Sequence, residues 1–83
     1  MKQYTIVIKK PAKKFIEGQP KKQRERILKA VYKLPHEGDI DTLSGYDGVY
    51  RLRVGTYRII YTIKENVLTV EVLDVGNRGD VYK

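Results

Sequence analysis

Apolar positions in the first half of the chain indicate one strand followed by two helices. The segment "YTIVI" (4–8) is apolar and rich in β-branched residues, which predicts a strand. After Pro11, apolar residues recur at helical spacing as far as Gly18, a candidate C-terminal cap. Residues 20–34 repeat this spacing, and Pro35 ends it. The pattern therefore predicts a strand and a hairpin of two short helices.

The second half of the chain predicts a polar loop and then three strands. Residues 36–48 are polar and are predicted as a loop. Loops of this length without secondary structure are often functional. Residues 49–54 and 57–64 alternate between apolar and polar, and Gly55-Thr56 between them suits a type II′ turn. The last strand is predicted at 67–76. The predicted fold is α+β, β-α-α-β-β-β, an antiparallel sheet with the helical hairpin packed on one face.

The register of the predicted hairpin separates apolar from basic side chains. With a two-residue turn, Leu52 faces Ile59 on the core side of the sheet. Arg53 then faces Arg58 on the other side, with Arg51 two residues along the same strand. Unpaired like charges destabilise a sheet, so this face is either a solvated surface or a cluster that binds phosphate. The expected core face comprises Tyr50, Leu52, Val54, Tyr57, Ile59, Tyr61, Ile63, Leu68, Val70 and Val72.

The end of the chain adds further polar groups to the arginine side. In "VGNRGDVYK" (75–83), Arg78 and Tyr82 lie just past the last predicted strand. Glycines on either side of Arg78 allow the backbone to turn back, so a fourth cation and a phenol can join the same surface. Glu71 is expected on this face as a counter-charge to the arginines.

Composition limits the classes of protein to which the chain can belong. Its 83 residues, 41% hydrophobic and 33% charged, suit one folded domain spanning 1–83. The absence of cysteine excludes disulfides and cysteine-based zinc sites and favours a reducing compartment. Neither a secretory signal nor a membrane-spanning stretch is evident. The expected location is the cytoplasm, with no membrane partner.

The net charge of +7 is concentrated at the start of the sequence. Residues 1–35 hold 11 basic and 2 acidic residues (+9), whereas residues 36–83 hold 6 basic and 8 acidic residues (−2). Such an asymmetric field favours a polyanion such as RNA or DNA, or an acidic protein. A solvated lysine-rich surface is an equally good explanation of the charge alone.

Two segments, "LSGYDGVYRLRVGTYRIIY" (43–61) and "VLDVGNRGDVYK" (72–83), resemble the RelE/ParE superfamily of toxin–antitoxin toxins, and the RelE branch in particular. The family pattern is a leucine-x-glycine stretch and a strand with alternating basic residues. It continues with G-x-Y-R-[IV]-[IV]-Y and a final V-x-[VI]-G-x-R…[DE]-V-Y. This sequence satisfies nearly every position. The order of predicted elements also matches the family's RNase fold over nearly the whole chain.

The resemblance implies an activity and partners. RelE-type toxins enter the ribosomal A site and cleave the mRNA there, without a metal ion or cofactor. The 2′-OH of the mRNA attacks the adjacent phosphate, leaving a 2′,3′-cyclic phosphate and a 5′-OH, and translation is inhibited. The resemblance further implies a cognate antitoxin as partner, and contact with operator DNA only through the antitoxin complex.

Carried over by motif position, the resemblance implies five catalytic residues: Arg51, Arg53, Arg58, Arg78 and Tyr82. The best-known RelE-type toxins have lysine at the first two positions. Arginine binds phosphate well but is a poor base, so the three hairpin arginines are expected to stabilise the phosphate. Arg78 is expected to act near the leaving oxygen, and Tyr82 to orient the nucleotide or accept a proton.

Other residues are weaker candidates for contacts with RNA. Five basic residues of the second helix are candidates for binding ribosomal RNA or the antitoxin, with a solvated face as the alternative: Lys21, Lys22, Arg24, Arg26 and Lys29. His36, the only histidine, is expected to be structural, since a lone histidine cannot supply an acid–base pair. Tyr46 is a candidate for stacking on a base, whereas Tyr50 is expected to pack in the core.

Two alternative functions stay open. A ParE-like toxin inhibits DNA gyrase without cutting RNA, but such chains generally lack the full set of basic residues and tyrosine. A non-catalytic RNA- or protein-binding module is kept open by the two arginines at the usual lysine positions.

Overall fold

The computed structural model describes residues 2–77, which form a mixed five-stranded sheet with two helices. The sheet order is β1-β5-β4-β3-β2; β1 runs parallel to β5, and the other neighbours are antiparallel. Residues of both helices pack against one sheet face, which confirms the predicted α+β class. The elements are β1 (Thr5–Ile8), α1 (Lys10–Glu17), α2 (Lys21–Val31), β2 (Asp39–Thr42), β3 (Val49–Val54), β4 (Tyr57–Lys64) and β5 (Thr69–Asn77).

Both helices have a proline at or next to their first residue and present an apolar stripe to the sheet. Pro11 lies in the first turn of α1, where its missing N–H costs nothing. Helix α2 begins after Pro20 and ends at Val31, earlier than the predicted residue 34. Leu34 still packs in the core but sits in turn geometry, because Pro35 disfavours a helical conformation before it. Within residues 2–77, no helix has the length and apolar character that crossing a membrane requires.

The core fills the space between the helices and the sheet face that they cover. The predicted register of the β3–β4 hairpin is confirmed, with Leu52 opposite Ile59 and Tyr50 opposite Tyr61. Gly55 has a φ of 60°, as the first position of a type II′ turn requires. Leu52, Ile59 and Tyr61 are at most 1% exposed. Period-two alternation therefore gave the correct core face for this hairpin.

The last strand departs from its predicted register at two points. Glu65–Val67 form a 3₁₀ turn and Leu68 adopts a left-handed φ of 44°, so β5 begins at Thr69, two residues later than predicted. The prediction that Leu68 belongs to the core face of the last strand is therefore wrong. A β-bulge then shifts the β4–β5 pairing after Ile60. The extra residue brings both Val72 and Val75 to the core side.

Strand β2 lies in the segment that was predicted as a polar loop. It pairs with β3 at the edge of the sheet and sets Asp39 opposite Arg53 and Asp41 opposite Arg51. The prediction of a loop is wrong for these residues, because "DIDT" carries little apolar signal of its own. Ile40 packs against the core opposite Leu52, and the opposite charges across the strand pair add to the stability of β2.

Gly38 determines how closely the chain approaches β3 at the start of β2. Its φ is +135°, and a Cβ there would lie 2.6 Å from Cδ1 of Leu52. Leu52 is 1% exposed and is held on all sides by the core. Only glycine therefore allows β2 to enter the sheet at this point.

We expect Gly38→Ala to lower the free energy of unfolding by about 1–3 kcal/mol for the backbone conformation, plus a further loss for the clash with Leu52. Gly45→Ala is the matched control, since Gly45 also has a positive φ (+85°) but has no atom within 4 Å of an added Cβ. Urea denaturation of both variants measures the difference. Equal losses would show that the contact with Leu52 does not constrain β2.

Candidate functional site

Three arginines lie on the sheet face opposite the helices. Arg53 is directly opposite Arg58 across the β3–β4 pair, and Arg51 is opposite Ile60. Residues between them, such as Leu52 and Ile59, point into the core, so alternation directs the arginines to the other side. The predicted placement of these three residues on one sheet face is therefore confirmed. We call Arg51, Arg53 and Arg58 the arginine cluster.

Asp41 of β2 pairs with two members of the arginine cluster. Nε of Arg51 donates to Oδ1 of Asp41 at 3.1 Å, and Nη2 of Arg51 donates to Oδ2 at 2.7 Å. Nη2 of Arg53 donates to the same Oδ2 at 3.2 Å. Nη1 of Arg53 also lies 3.8 Å from Oδ1 of Asp39. The neighbouring edge strand thus partly neutralises the arginine cluster.

This pairing was not predicted from the sequence, although the sequence contains a signal for it. The acid-x-acid spacing of Asp39 and Asp41 matches the basic-x-basic spacing of Arg51 and Arg53. In an antiparallel pair, matched spacings of this kind put opposite charges directly across from each other. Charge patterning, rather than hydrophobicity, was the feature that could have identified β2.

The ion pair shifts the proton affinities of both partners. The hydrogen bond from Arg51 lowers the pKa of Asp41 below its ordinary value, and the charges of Arg51, Arg53 and Arg58 lower it further, against a smaller opposing effect of burial. The same hydrogen bond raises the pKa of Arg51 above its ordinary value. Both side chains therefore remain charged over the whole physiological range.

Ile60 is an apolar neighbour of the arginine cluster in the β3–β4 pair. It is 0% exposed and lies between Arg51 on β3 and Asp74 on β5. Ile60 is therefore a buried apolar neighbour of Arg51 in the sheet, while the ion pair between Arg51 and Asp41 stays partly exposed to solvent.

Arg58 differs from the other two arginines in its surroundings. Nη1 of Arg58 donates to the backbone oxygen of Tyr57 at a long 3.4 Å, and among residues 2–77 no carboxylate forms a salt bridge with it. Its neighbour on β5 is Gly76, which has no side chain. Within residues 2–77, Arg58 is therefore the member of the cluster whose charge is least compensated by a carboxylate.

Glu71 does not provide the counter-charge that was expected of it. Its carboxylate lies 3.7 Å from Nζ of Lys9 and 3.5 Å from Nζ of Lys64. It is opposite Thr62, further along β4 than the arginine cluster. Glu71 does lie on the arginine side of the sheet, but its expected role as their counter-charge is wrong, because the register brings it to two lysines.

The remaining predicted catalytic residues, Arg78 and Tyr82, lie outside the described residues. The five basic residues of α2 belong to the opposite side of the sheet, because α2 packs on the core face through Ile27 and Val31. The structure therefore does not bring the helix and the arginine cluster onto one flat surface. Arg26 of α2 reaches the turn between β3 and β4. Its guanidinium lies over Gly55, where Nη1 is 3.0 Å from the position that a Cβ would take.

His36 and Tyr50 contribute to structure, as expected. Nε2 of His36 hydrogen-bonds the backbone oxygen of Lys2 at 2.7 Å, and the ring meets Tyr4 edge-on. Tyr50 stacks on Tyr61 with centroids 5.5 Å apart, and burial raises the pKa of Tyr61 to about 12. In the part of the chain that the structure describes, no group of three acidic or histidine side chains is arranged to hold a metal ion.

A family model settles the kind of protein. The model, described as "ParE toxin of type II toxin-antitoxin system, parDE", matches residues 6–82. The chain belongs to the ParE toxin family. The expected membership of the RelE/ParE superfamily is thereby confirmed. A search among curated proteins gave no match.

Solved structures similar to this ParE-family toxin include RelE complexes. A chain of the archaeal RelE–RelB complex from Pyrococcus horikoshii OT3 is 26% identical, with 96% of this chain and 100% of that chain covered and a TM-score of 0.75. The RelBE2 toxin–antitoxin complex from Mycobacterium tuberculosis gives 26% identity, 96% and 97% coverage and a TM-score of 0.81. The isolated E. coli RelE toxin shares the fold, with a TM-score of 0.74. It is 23% identical, with 95% of this chain and 90% of that chain covered.

The depressed pKa of Asp41 makes the stability of this ParE-family toxin sensitive to acid. The folded state binds the proton of the Asp41 carboxyl less tightly than the unfolded state does. The contribution of the ion pair to stability is therefore complete above about pH 4 and is lost as the pH falls through the folded pKa. We expect Asp41→Asn to lower the melting temperature by a few degrees at neutral pH, and this difference to shrink as the solution is acidified.

Melting curves recorded from neutral to strongly acidic pH measure this effect. Asp47→Asn is the control: Asp47 is exposed and forms no salt bridge within residues 2–77, so this variant keeps the wild-type pH profile. A constant difference between Asp41→Asn and wild type at every pH would contradict the assigned role of the ion pair.

Proposed function

We propose that this toxin is a ribosome-dependent endonuclease that cleaves mRNA in the A site without a metal ion. The observation that carries the proposal is the arginine cluster on the sheet face opposite the helices, with Arg53 directly opposite Arg58. Arg53 pairs with Asp41, whereas Arg58 has no carboxylate partner among residues 2–77, so a partner with several negative oxygens would relieve the remaining repulsion between the facing cations. The phosphate that is being cleaved is such a partner.

The proposed reaction is an attack within the mRNA strand. The 2′-oxygen bonds to the adjacent phosphorus and loses its proton, while the bond from phosphorus to the 5′-oxygen breaks and that oxygen gains a proton. The products are a 2′,3′-cyclic phosphate and a 5′-OH. Negative charge grows on the non-bridging oxygens during this step, and fixed arginines stabilise it. We assign this role to Arg58 first, because no carboxylate of residues 2–77 pairs with it.

Proton transfer requires groups other than the hairpin arginines. Arginine keeps its proton throughout the accessible pH range, so Arg51 and Arg53 act through charge rather than as bases. We assign Tyr82 to orienting the nucleotide or accepting the proton of the 2′-OH, and Arg78 to the leaving oxygen. Water and the ribosome are the other sources and acceptors of protons at this site.

The proposed partners follow from the family and its relatives. Complexes with RelB are known for the similar chains from Pyrococcus horikoshii and Methanococcus jannaschii. We propose a cognate antitoxin for this toxin, contact with operator DNA only through that complex, and action in the cytoplasm. The exposed basic residues of α2 would contact ribosomal RNA or the antitoxin.

A second candidate function is inhibition of DNA gyrase. The family model carries the ParE name, and the pairing of Arg51 and Arg53 with Asp41 leaves the free protein with less uncompensated charge for RNA than the sequence indicated. A non-catalytic RNA- or protein-binding module is consistent with the same two observations. The experiments below separate the three functions.

Mapping of mRNA 5′ ends during growth arrest tests the proposed function. When the toxin is expressed in cells, we expect new 5′-OH ends within translated reading frames, because cleavage in the A site depends on translation. Messages that are made but not translated serve as the internal control. Growth arrest with DNA damage and intact messages would falsify the proposal in favour of gyrase inhibition, and arrest with neither effect would favour a binding module.

Substitution of Arg58 tests the role of the arginine cluster. We expect Arg58→Ala to slow cleavage of ribosome-bound mRNA by about 100-fold or more, since a fixed donor to the developing charge is removed. Arg58→Lys keeps the charge but loses the guanidinium fork and is expected to be intermediate. Lys14→Ala removes one charge from an exposed position on α1 and is the control. Equal activity of all three variants would remove Arg58 from the site.

Arg78→Ala and Tyr82→Phe test the two residues of the C-terminal segment. We expect each variant to reduce cleavage by orders of magnitude while leaving the thermal unfolding of the domain unchanged, because the roles assigned to them are chemical. The pH dependence of single-turnover cleavage by Tyr82→Phe further separates proton transfer from positioning. Full activity of both variants in a ribosome assay would overturn their assignment.

A further inference from the structure

Asp41 occupies the position on the arginine cluster that a phosphate group would take. Its two carboxylate oxygens meet Nε and Nη2 of Arg51 at 3.1 and 2.7 Å, and one of them also meets Nη2 of Arg53 at 3.2 Å. A guanidinium binds phosphate oxygens through the same planar pair of donors at the same distances. The donors that Arg51 would offer to RNA are therefore in use in the free protein.

The position of Asp41 makes exchange with an external anion feasible. It lies on β2, the edge strand, and its side chain is 38% exposed. Arg51 and Arg53 are likewise partly exposed, at 28% and 37% of their side chains. A phosphate can therefore approach the same donors from solvent, and no strand needs to leave the sheet.

We propose that Asp41 is an internal competitor for RNA that sets which phosphates the arginine cluster accepts. This inference rests on the proposed function, since it takes the ligand to be an RNA strand. In the free toxin the carboxylate holds Arg51 and Arg53 and repels an approaching phosphate. A free RNA strand, which has few other contacts, is bound weakly. An mRNA that the ribosome holds in place meets the cluster at high effective concentration and displaces the carboxylate.

Asp39 is a weaker competitor for the arginine cluster than Asp41. Its carboxylate is opposite Arg53 but lies 3.8 Å from Nη1, too far for a hydrogen bond. Arg58 has no such competitor within residues 2–77, so it provides the first contact for a phosphate. Removing the charge of Asp41 should therefore affect RNA binding more strongly than removing that of Asp39.

Binding of free RNA to the full-length toxin tests the inference without a ribosome. The probe is a short fluorescein-labelled single-stranded RNA with 2′-O-methyl riboses, which cannot undergo attack by the 2′-OH. We expect Asp41→Asn to tighten binding about fivefold in fluorescence anisotropy at low salt, as removal of one nearby like charge predicts. The plot of log affinity against log salt should steepen by about 0.7, the value for one additional phosphate contact.

The other variants make this result specific. Asp39→Asn should tighten binding less than Asp41→Asn, and Asp47→Asn, which removes the same charge from a side chain without an arginine partner in the described part of the chain, should leave it unchanged. An unchanged or weaker affinity of Asp41→Asn, or an equal gain for Asp47→Asn, would overturn the inference. Where Asp41→Asn does not fold, Asp39→Asn decides: a gain supports the competition, and no gain rejects it.

The outcome is separable from that of the proposed function. Tighter RNA binding by Asp41→Asn in a toxin that leaves messages intact in cells would support competition at the arginine cluster and reject the endonuclease. Cleavage of messages by a toxin whose Asp41→Asn variant gains no affinity for RNA would support the endonuclease and reject the competition.

Discussion

The pairing of β3 (Val49–Val54) with β4 (Tyr57–Lys64) constrains both faces of the molecule at once. Leu52 and Ile59 meet beneath the helices, and the same register sets Arg53 against Arg58 on the far side. A slip of one residue would bring the arginines into the core and the apolar residues into water. The burial of the core therefore fixes the arginine cluster, including the repulsion between its members.

The edge strand β2 (Asp39–Thr42) resolves most of this repulsion inside the chain. Arg51, Arg53 and Arg58 carry three positive charges, and Asp39 and Asp41 return two negative charges to the same region. The free protein thus holds a nearly neutral cluster in which only Arg58 lacks a carboxylate partner among residues 2–77. Stability of the free protein and affinity for an anion then oppose each other, because both use the same guanidinium donors.

The sequence predicted the elements whose stability comes from apolar burial. The alternation in "YRLRVGTYRIIY" gave the hairpin register, and the helical spacing gave the two helices. It did not predict β2, which has a single strongly apolar residue, Ile40, and pairs with the next strand through opposite charges. It also misplaced Leu68, because the 3₁₀ turn before β5 (Thr69–Asn77) has no distinctive composition. The contributions of Arg78 and Tyr82 to the site rest on the family pattern alone.

Arginine at positions 51 and 53 and aspartate at position 41 form one physical unit. A lysine, which the best-known RelE-type toxins have at the first two positions, carries a point charge and cannot hold a carboxylate through two parallel donors. Arg51 does so through Nε and Nη2. An arginine pair is also fully charged at every accessible pH, so without an internal counter-ion it would attract any polyanion that the protein meets. Under the proposed function, arginine in place of lysine would leave these two positions without a base, and Asp41 would keep the stronger anion-binding group occupied until an RNA strand is presented.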